Sequence, residues 1–368
     1  MMNAPIYLDA TPLTERRITG IGRMVAQLAC RLAQKLEIRL FCRSRYIDLV
    51  GLTPHSAFHA GLEIVLNPSC VPPSGEDMQQ WRERVLALAK QPFDRELASR
   101  STGIYTFLRP GHRVFARELT VHHDFTPVLL PKTHTSGTRS LFTPLCEDNA
   151  ILDDHCISNS HATAHDLSWL AGVTPNRIAP LLLGPSLCVE DHLWPTIPDR
   201  DESLLVAVST LEPRKNPQFL LEWFLESKAL PECMTLAWAG PAGWNLDQGT
   251  LPVSRGKRHI RFLGMIEDIE LCRLYRQARA VIYPSLYEGF GLPVLDALLH
   301  GTPVLCSGNS SLMEFAGPGV EFFDPCDSVS VDEAWDRLYL QNLPISRPDL
   351  AVACSWDTFT DGLLAVVA

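Results

Sequence analysis

Two carboxylates flank a glycine-broken loop in the second half of the chain. Glu288 directly precedes Gly289 and Gly291, and Asp296 follows in an apolar segment with helical spacing that begins near Leu292. The first amide groups of such a helix can bind an anion such as a diphosphate. A carboxylate repels phosphate, so Glu288 fits better as an acceptor for hydroxyl groups on the molecule attached to it. Asp296, about one turn into the helix, is placed to reach a ribose diol. The alternative is an ordinary capped turn between a strand and a helix.

Two adjacent cations form a second cluster. Arg214 and Lys215 lie in "STLEPRKNPQFLLEWF", between the end of a predicted strand and a helix that is entered through "NP". At the carboxyl end of a strand they would neutralise the charge of a diphosphate leaving group. The alternative is a solvated basic pair on the surface.

A third motif, "TGIGRMV", places Gly20 and Gly22 between the first predicted strand and the first helix. It resembles a dinucleotide fingerprint, but Val25 stands where the third glycine belongs, and no acidic ribose partner follows. We therefore do not expect a nicotinamide site. A loop that lets the backbone approach a substrate phosphate or sugar remains consistent with the motif.

A histidine and an aspartate end the predicted strand in "ELTVHHDFTP". These residues are His123 and Asp124, and the end of this strand would face the same ligand as the other motifs. A lone histidine at a strand end is more often structural. Its neighbour Asp124 keeps His123 as a candidate, because a carboxylate tunes imidazole protonation.

Other kinds of chemistry lack the necessary patterns. The sequence has no HExxH motif and no Ser-His-Asp order, and its 11 cysteines form no CxxC pair, so we expect neither zinc nor nucleophilic hydrolysis. The net charge of −10 argues against nucleic acid as a partner. The apolar runs are too short to cross a membrane, and the N-terminus lacks a signal-peptide layout. We expect a cytoplasmic protein, and the nearly balanced charge of the first half would permit peripheral contact with the inner membrane face.

Strands and helices alternate along most of the 368 residues, which predicts an α/β fold with parallel sheets in two doubly wound, Rossmann-like domains. The predicted domains are residues 1–190 and 191–352, with a Pro-rich and acidic linker at 185–203. Residues 353–368 form a terminal helix that we expect to pack across the domain junction. The stretch 68–101 looks like an insertion. Ligands of such domains bind beyond the carboxyl ends of the strands, which predicts a central cleft between the two sheets.

Taken together, these motifs resemble the retaining nucleotide-sugar glycosyltransferases of family four, which have the two-domain GT-B fold. The likeness spans nearly the whole chain, from "GIGR" through "HHDFTP" and "STLEPRKNPQFLL" to the closing "SW" helix. The run "FLGMIEDIELCRLYRQARAVIYPSLYEGFGLPVLDALLHGTPVLCS" at 262–307 is highly specific. "LEPRKN" and "HHDFTP" are most similar to the bacterial mannosyltransferases that build polysaccharides and O-antigens from GDP-mannose.

The resemblance implies a role for each motif. Glu288 would bind the hydroxyls of the donor sugar, and the diphosphate would be held by the backbone amides of Phe290, Gly291 and Leu292. Arg214 and Lys215 would stabilise the departing phosphate. The resemblance also implies that Gly20 and Gly22 line the cleft from the first domain, and that His123 lies by the transferred sugar or the acceptor. No cofactor or bound metal is expected.

The sequence departs from the family pattern at Asp296, where glutamate is usual and contacts the ribose. Aspartate is shorter by one C–C bond, about 1.5 Å. We expect this change to alter donor affinity more than chemistry, because Glu288, Arg214 and Lys215 are intact.

The expected function is transfer of a hexose, with mannose from GDP-mannose as the best candidate, to a saccharide or lipid-linked acceptor in polysaccharide synthesis. The alternatives are a transferase that uses a UDP-sugar, a nucleotide-sugar epimerase and a non-catalytic nucleotide-sugar-binding protein. The chain is too short for the large glycogen phosphorylases.

Overall fold

The computed structural model describes residues 5–15, 18–42, 62–66, 70, 78–140, 150–187, 199–244, 251–341 and 345–368. The chain divides into two compact units. The first unit consists of Met1–Asp124, Ser140–Gly184 and Cys354–Ala368, and the second of Phe125–Arg139 and Pro185–Ala353. The predicted domain boundary at residue 190 lies outside the described residues.

An eight-stranded sheet forms the first unit, in the order β4-β3-β2-β1-β5-β6-β7-β8. Its strands are β1 Ile6–Asp9, β2 Ile38–Phe41, β3 Leu62–Leu66, β4 Gln91–Pro92, β5 Thr102–Tyr105, β6 Arg117–His122, β7 His155–Ser158 and β8 Ile178–Pro180. The pairs from β2 through β1 to β8 are parallel, whereas β3 pairs antiparallel with both β2 and β4. The antiparallel edge is a departure from the parallel sheet that the sequence predicts. The sequence gives no signal for β4, which has only two residues, both exposed, and the apolar pattern of β3 does not reveal its direction.

A seven-stranded sheet forms the second unit, in the order β11-β12-β10-β9-β13-β14-β15. Its strands are β9 Asp201–Val208, β10 Thr235–Ala239, β11 Ser254–Arg255, β12 Arg258–Gly264, β13 Ala278–Tyr283, β14 Val304–Ser307 and β15 Val320–Phe323. The short hairpin of β11 with β12 is antiparallel, and the other pairs are parallel. Without β11 this is the strand order of a doubly wound dinucleotide-binding fold.

The helices cover the sheets as the alternation predicts. They are α1 Gly20–Lys35, α2 Met78–Leu86, α3 Arg95–Ala98, α4 Thr126–Leu129, α5 His161–Leu170, α6 Pro217–Glu226, α7 Asp268–Gln277, α8 Leu292–Leu299, α9 Ser328–Tyr339, α10 Pro348–Ala353 and α11 Trp356–Val367. In the second unit their apolar faces bury large side chains such as Trp223, Phe224 and Trp335. Among the helices described here, none is long and apolar enough to cross a membrane.

The terminal helix α11 starts where the sequence predicts, since the Ser355 hydroxyl accepts a hydrogen bond from the Thr358 amide at 3.0 Å. It belongs to the first unit. Arg31 on α1 pairs with Asp357 at 2.7 Å, and the Arg117 guanidinium donates to the carbonyl of Val367 at 2.6 Å. Side chains from α1 and β6 thus bind the last residues to the rest of the first unit.

A fully buried ion network stabilises the first unit. The Arg109 guanidinium donates to the Asp153 carboxylate at 2.7 Å and also pairs with Glu118, and all three side chains are inaccessible to solvent. Neutral donors complete the network: the Tyr105 hydroxyl bonds Glu118 at 3.1 Å, and the Thr120 hydroxyl bonds Asp153 at 2.9 Å. Such charges can be buried only because each one has a partner.

We predict that Arg109→Met lowers the free energy of unfolding by about 3–5 kcal/mol, because two buried carboxylates lose their cation. Arg100→Met is the matched control. Arg100 pairs with Glu96 at 3.5 Å and its side chain is 66% exposed, so the loss should be about 1 kcal/mol or less. Urea denaturation of the full chain, with hydrogen exchange of the β6 amides, measures both losses. Equal losses for the two variants would show that burial of the network is unimportant.

Candidate active site

The carboxyl ends of β9 and β13 meet at the point where the strand order of the second sheet reverses. β10 lies on one side of β9 and β13 on the other. The two connections therefore leave in opposite directions and open a crevice, which is where doubly wound sheets bind ligands. The loop after β9 carries Arg214 and Lys215, and the loop after β13 carries Glu288. The topology brings together residues that are more than 70 positions apart in sequence.

Glu288 is held by both predicted cations. Its Oε2 accepts a hydrogen bond from Arg214 Nη1 at 2.9 Å, and its Oε1 accepts one from Lys215 Nζ at 2.5 Å. Lys215 also donates to the Tyr283 hydroxyl at 2.7 Å. The Glu288 side chain is 8% exposed and those of the two cations are 13% and 11% exposed. The alternative of a solvated basic pair is therefore wrong for Arg214 and Lys215.

Hydrogen bonds to serines and between the loops fix the backbone around Glu288. The Glu288 amide donates to the Ser310 hydroxyl at 3.0 Å, and the Ser311 hydroxyl donates to the carbonyls of Glu288 and Phe290. The Leu286 amide donates to the Arg214 carbonyl at 2.9 Å, which ties the two loops to each other. The carboxylate is therefore held in place from both its backbone and its side chain.

The local charges set the protonation of the site. Burial raises the pKa of Glu288, but Arg214 and Lys215 more than offset this and lower that pKa to about 2. Burial lowers the pKa of Lys215, as does repulsion from Arg214, while Glu288 opposes the change. Glu288 is consequently ionised near neutral pH and can only accept hydrogen bonds there, as binding of sugar hydroxyls requires.

The glycine loop ends in the predicted helix N-terminus. Gly291 caps α8 with a φ of 108°, and a Cβ there would lie 2.7 Å from Leu312 Cδ2. Gly289 is buried in the loop, and Phe290 packs its ring against Phe315 at a centroid distance of 5.4 Å. The first amides of a helix have no partner within it, so those of Gly291 and Leu292 can serve an anion.

Asp296 lies elsewhere on the same helix and contacts the chain near its entry into the second unit. One oxygen of its carboxylate accepts the Ser186 amide at 2.9 Å, and the other accepts the Ser186 hydroxyl. Asp296 is only 2% exposed. The structure therefore gives this side chain a role in holding Ser186, and its contact with a ribose stays a prediction.

The remaining predicted residues lie in the first unit. Gly20 and Gly22 begin α1, where the Thr19 hydroxyl accepts the Gly22 amide at 3.2 Å. A Cβ on Gly22 would lie 3.0 Å from Ile18 Cγ1, so a larger residue there would require Ile18 to shift by a few tenths of an ångström. His123 Nε2 lies 2.8 Å from the Thr106 carbonyl and donates to it, and burial lowers the pKa of this histidine. Their predicted roles towards a sugar are not tested by these contacts.

The sequence reasoning missed several residues of the site. Glu212 is buried beside Arg214 and accepts Arg214 Nη2 at 2.8 Å. Tyr283 and the serines that hold the Glu288 backbone were also missed. Glu212 and Tyr283 stand within the quoted motifs "LEPRKN" and "VIYPSLYEGFG", so position at a strand end was the available signal. The serines lie more than 20 residues away, in a segment without a motif.

Among the described residues, one group of metal-ligand type lies within 4.8 Å, namely His122, Asp153 and Cys156. Asp153 already accepts hydrogen bonds from Arg109 and Thr120. A metal ion would have to compete with a buried guanidinium for the same carboxylate. This arrangement fits an internal ion network better than a metal site.

Known proteins share both the sequence pattern and the fold. Residues 190–350, which contain the whole site around Glu288, match the family described as glycosyl transferases group 1. The chain therefore carries a domain of the group 1 glycosyltransferases. Its fold is GT-B, with two Rossmann-like, mainly parallel sheets, as the sequence predicts. The predicted resemblance to bacterial mannosyltransferases of this family is confirmed.

The relatives include enzymes of bacterial polysaccharide synthesis. The chain is 29% identical to O-antigen chain mannosyltransferase B of Escherichia coli in an alignment of 371 positions. This alignment covers 89% of this chain and 91% of that protein. The chain is 30% identical to the serotype-specific mannosyltransferase WbdA of Escherichia coli, but the match covers 60% of this chain and only 30% of WbdA. Among solved structures, Anabaena HepE in complex with UDP and glucose is similar with a TM-score of 0.64, 14% identity and 99% of each chain covered.

We predict that the cost of Glu288→Gln depends on pH. A folded-state pKa of about 2, below the ordinary 4.5, means that the carboxylate stabilises the folded state above pH 4.5 and loses this effect as pH falls towards 2. The difference in unfolding free energy between parent and variant should therefore be largest near neutral pH and shrink on acidification. Denaturation between pH 7 and pH 2.5 measures it. Glu226→Gln, at a surface pair with Arg255, should show little difference at every pH. A Glu288→Gln cost that is constant with pH would contradict the ion pairing.

We also predict that Asp296 and Ser186 act as one unit in stability. Asp296→Ala should cost about 1.5–3 kcal/mol, because it removes charge-assisted hydrogen bonds to the Ser186 amide and hydroxyl. Ser186→Ala should cost less, since the amide bond survives. Adding Ser186→Ala to Asp296→Ala should cost almost nothing more, which a double-mutant cycle by denaturation tests. Fully additive losses would mean that the two side chains are not coupled.

Proposed function

We propose that this glycosyltransferase transfers mannose from GDP-mannose to a saccharide or lipid-linked acceptor, with retention at the anomeric carbon, in the synthesis of a cell-surface polysaccharide. The observation that carries the proposal is the buried Glu288 carboxylate, held by Arg214 and Lys215 beside the N-terminus of α8. This arrangement offers an acceptor for sugar hydroxyls next to cations and amides for a diphosphate. The O-antigen mannosyltransferase relative supports mannose as the sugar.

Stabilisation of the leaving diphosphate is the main catalytic task of the site. As the glycosidic bond breaks, negative charge grows on the phosphate oxygen, and groups that already point there lower the barrier. Arg214 and Lys215 are the cations in place, and their carbonyl and carboxylate contacts fix them before substrate binds. No large reorganisation is then needed in the transition state.

The acceptor proton has a route that needs no protein base. In a retaining transfer the acceptor attacks from the face that the diphosphate leaves, so the leaving phosphate oxygen can take the proton of the acceptor hydroxyl. The sugar-side carboxylate, Glu288, is ionised and accepts one cationic donor on each oxygen, which suits hydroxyl binding at its remaining lone pairs better than proton abstraction. We further propose that the reaction needs no metal, since the two cations supply the positive charge.

The place of the reaction follows from the same proposal. A lipid-linked acceptor lies at the inner face of the cytoplasmic membrane, so the enzyme would act in the cytoplasm with peripheral contact through its first unit. A UDP-sugar is the second candidate donor, because the structurally similar HepE was solved with UDP and glucose.

A donor screen tests the proposal directly. Thermal shift with GDP-, UDP- and ADP-sugars identifies the nucleotide, and transfer with GDP-mannose in EDTA to mannose-containing acceptors identifies the reaction. The anomeric configuration of the product, read by NMR, tests retention. If only a UDP-sugar stabilised the protein, the donor would be that UDP-sugar and not GDP-mannose. If the donor were converted to an isomer in the absence of acceptor, the protein would be an epimerase. If the donor bound but was not turned over, the protein would be a non-catalytic binding protein.

We predict that Lys215→Ala lowers kcat about 10²–10³-fold with the donor that the screen identifies, because one group that stabilises the leaving charge is lost. The fold should persist, since Glu288 keeps its bond to Arg214. Lys257→Ala is the control, because Lys257 is 76% exposed and pairs only at the surface with Glu232. Turnover within a few-fold of the parent in Lys215→Ala would rule out this role for the cluster.

A further inference from the structure

Glu212 is a second buried carboxylate in the site, and neither the sequence motifs nor the family match gives it a role. It is 4% exposed. Its Oε1 accepts Arg214 Nη2 at 2.8 Å, while Nη1 of the same guanidinium donates to Glu288 Oε2 at 2.9 Å. The guanidinium plane of Arg214 is thus held at both ends by carboxylates from different loops.

The backbone of Glu212 is anchored independently of its side chain. Leu211 forms a parallel bridge with Ala242 and donates its amide to the Pro241 carbonyl at 3.0 Å. The Glu212 carbonyl accepts the Lys215 amide at 3.0 Å, which closes the short 3-10 turn Pro213–Lys215. These backbone hydrogen bonds do not involve the Glu212 carboxylate. The conformation of the loop therefore does not require an acid at this position.

An acid at this position is also costly. Burial raises the pKa of Glu212, and the charges of Arg214 and Lys215 counteract that rise only in part. A buried ion pair that is merely structural can often be replaced as a whole by apolar side chains without loss of stability. The presence of a carboxylate at position 212 in spite of this cost indicates that its hydrogen bond to Arg214 has a function.

The task follows from what Glu288 must do when substrate binds. On the β13 loop, Arg214 donates hydrogen bonds to Glu288 and to the Tyr287 carbonyl. When Glu288 accepts sugar hydroxyls its hold on Arg214 weakens. Glu212 stands on the β9 side and touches no sugar-binding group in the proposed scheme, so its hold persists.

We propose that Glu212 is a positioning residue that keeps the Arg214 guanidinium aimed at the leaving diphosphate while Glu288 engages the donor sugar. This inference rests on the proposed function, since it assumes a diphosphate at α8. Glu212 touches no reacting atom and acts only through Arg214. Its amide counterpart, glutamine, has an oxygen that can accept the same hydrogen bond without the charge.

The test compares Glu212→Gln with Glu212→Ala in the full chain. Glutamine should keep kcat within about threefold, and it should lower the KM for donor because one repelling charge is removed. Alanine should lower kcat about 10²-fold, since displacement of a catalytic group by about 1 Å costs this much. Glu222→Ala, an exposed position on α6, is the control and should behave like the parent.

A purely structural role gives a different result. Both variants would then change the melting temperature without a difference in kcat between glutamine and alanine, and the proposal would fall. If the alanine variant does not fold, Glu212→Asp replaces it. Aspartate keeps the charge but is too short for the contact, so it should lose kcat as alanine does, and parental kcat in that variant would overturn the proposal.

Calorimetric titration with GDP and UDP separates this inference from the proposed function. The inference requires weaker diphosphate binding in Glu212→Ala and tighter binding in Glu212→Gln, whichever sugar is transferred. A parent that binds one of these nucleotides but does not transfer mannose would refute the proposed function alone. Equal affinities in parent and both variants would refute the role of Glu212 alone.

Discussion

The site depends on the rule that a buried charge needs a partner. Arg214, Lys215, Glu212 and Glu288 are all nearly inaccessible, and each is in contact with at least one group of opposite charge. Removing Arg214 would take the paired cation from Glu212, and removing Glu288 would take the paired carboxylate from Lys215, which is expensive in a region of low dielectric. The four side chains are therefore a single electrostatic unit. The strand order of the second sheet makes the unit possible, because it brings the ends of β9 and β13 side by side.

The same rule shapes the first unit, with a different outcome. Arg109, Glu118 and Asp153 are buried beneath the surface and are satisfied by one another and by neutral donors. In that network Glu118 lies near the start of β6 and Asp153 just before β7, at the amino ends of these strands, whereas ligands of doubly wound sheets bind beyond the carboxyl ends. The cluster around Glu288 has a helix N-terminus and a strand switch point, as well as a loop that Gly291 shapes with a positive φ. Position relative to the sheet, more than the residue types, distinguishes the cluster proposed to be catalytic from the structural one.

Much of this could be read from the sequence, and the reasons for the failures are physical. The β–α alternation, the starts of α8 and α11, and the placement of Arg214, Lys215 and Glu288 after strands follow from local patterns, because strand ends and helix starts have local signals. The antiparallel edge does not: β4 is a two-residue exposed strand without periodicity, and the apolar sequence of β3 carries no signal for its direction. Asp296 shows a second limit. Its partner Ser186 is 110 positions away, and no local pattern reports so distant a hydrogen bond.

The neutral sum of the four charges has a consequence for what the crevice will accept. An isolated arginine–lysine pair at a helix N-terminus would attract any small anion, and free phosphate would then compete with the donor. Here two carboxylates cancel the two cations, so a lone phosphate gains little from entering and meets repulsion from Glu212 and Glu288. A ligand that brings hydroxyls for Glu288 together with its phosphates gains from both halves of the cluster. In the proposed reaction, the pairing of these four charges with one another would therefore favour a nucleotide sugar over inorganic phosphate.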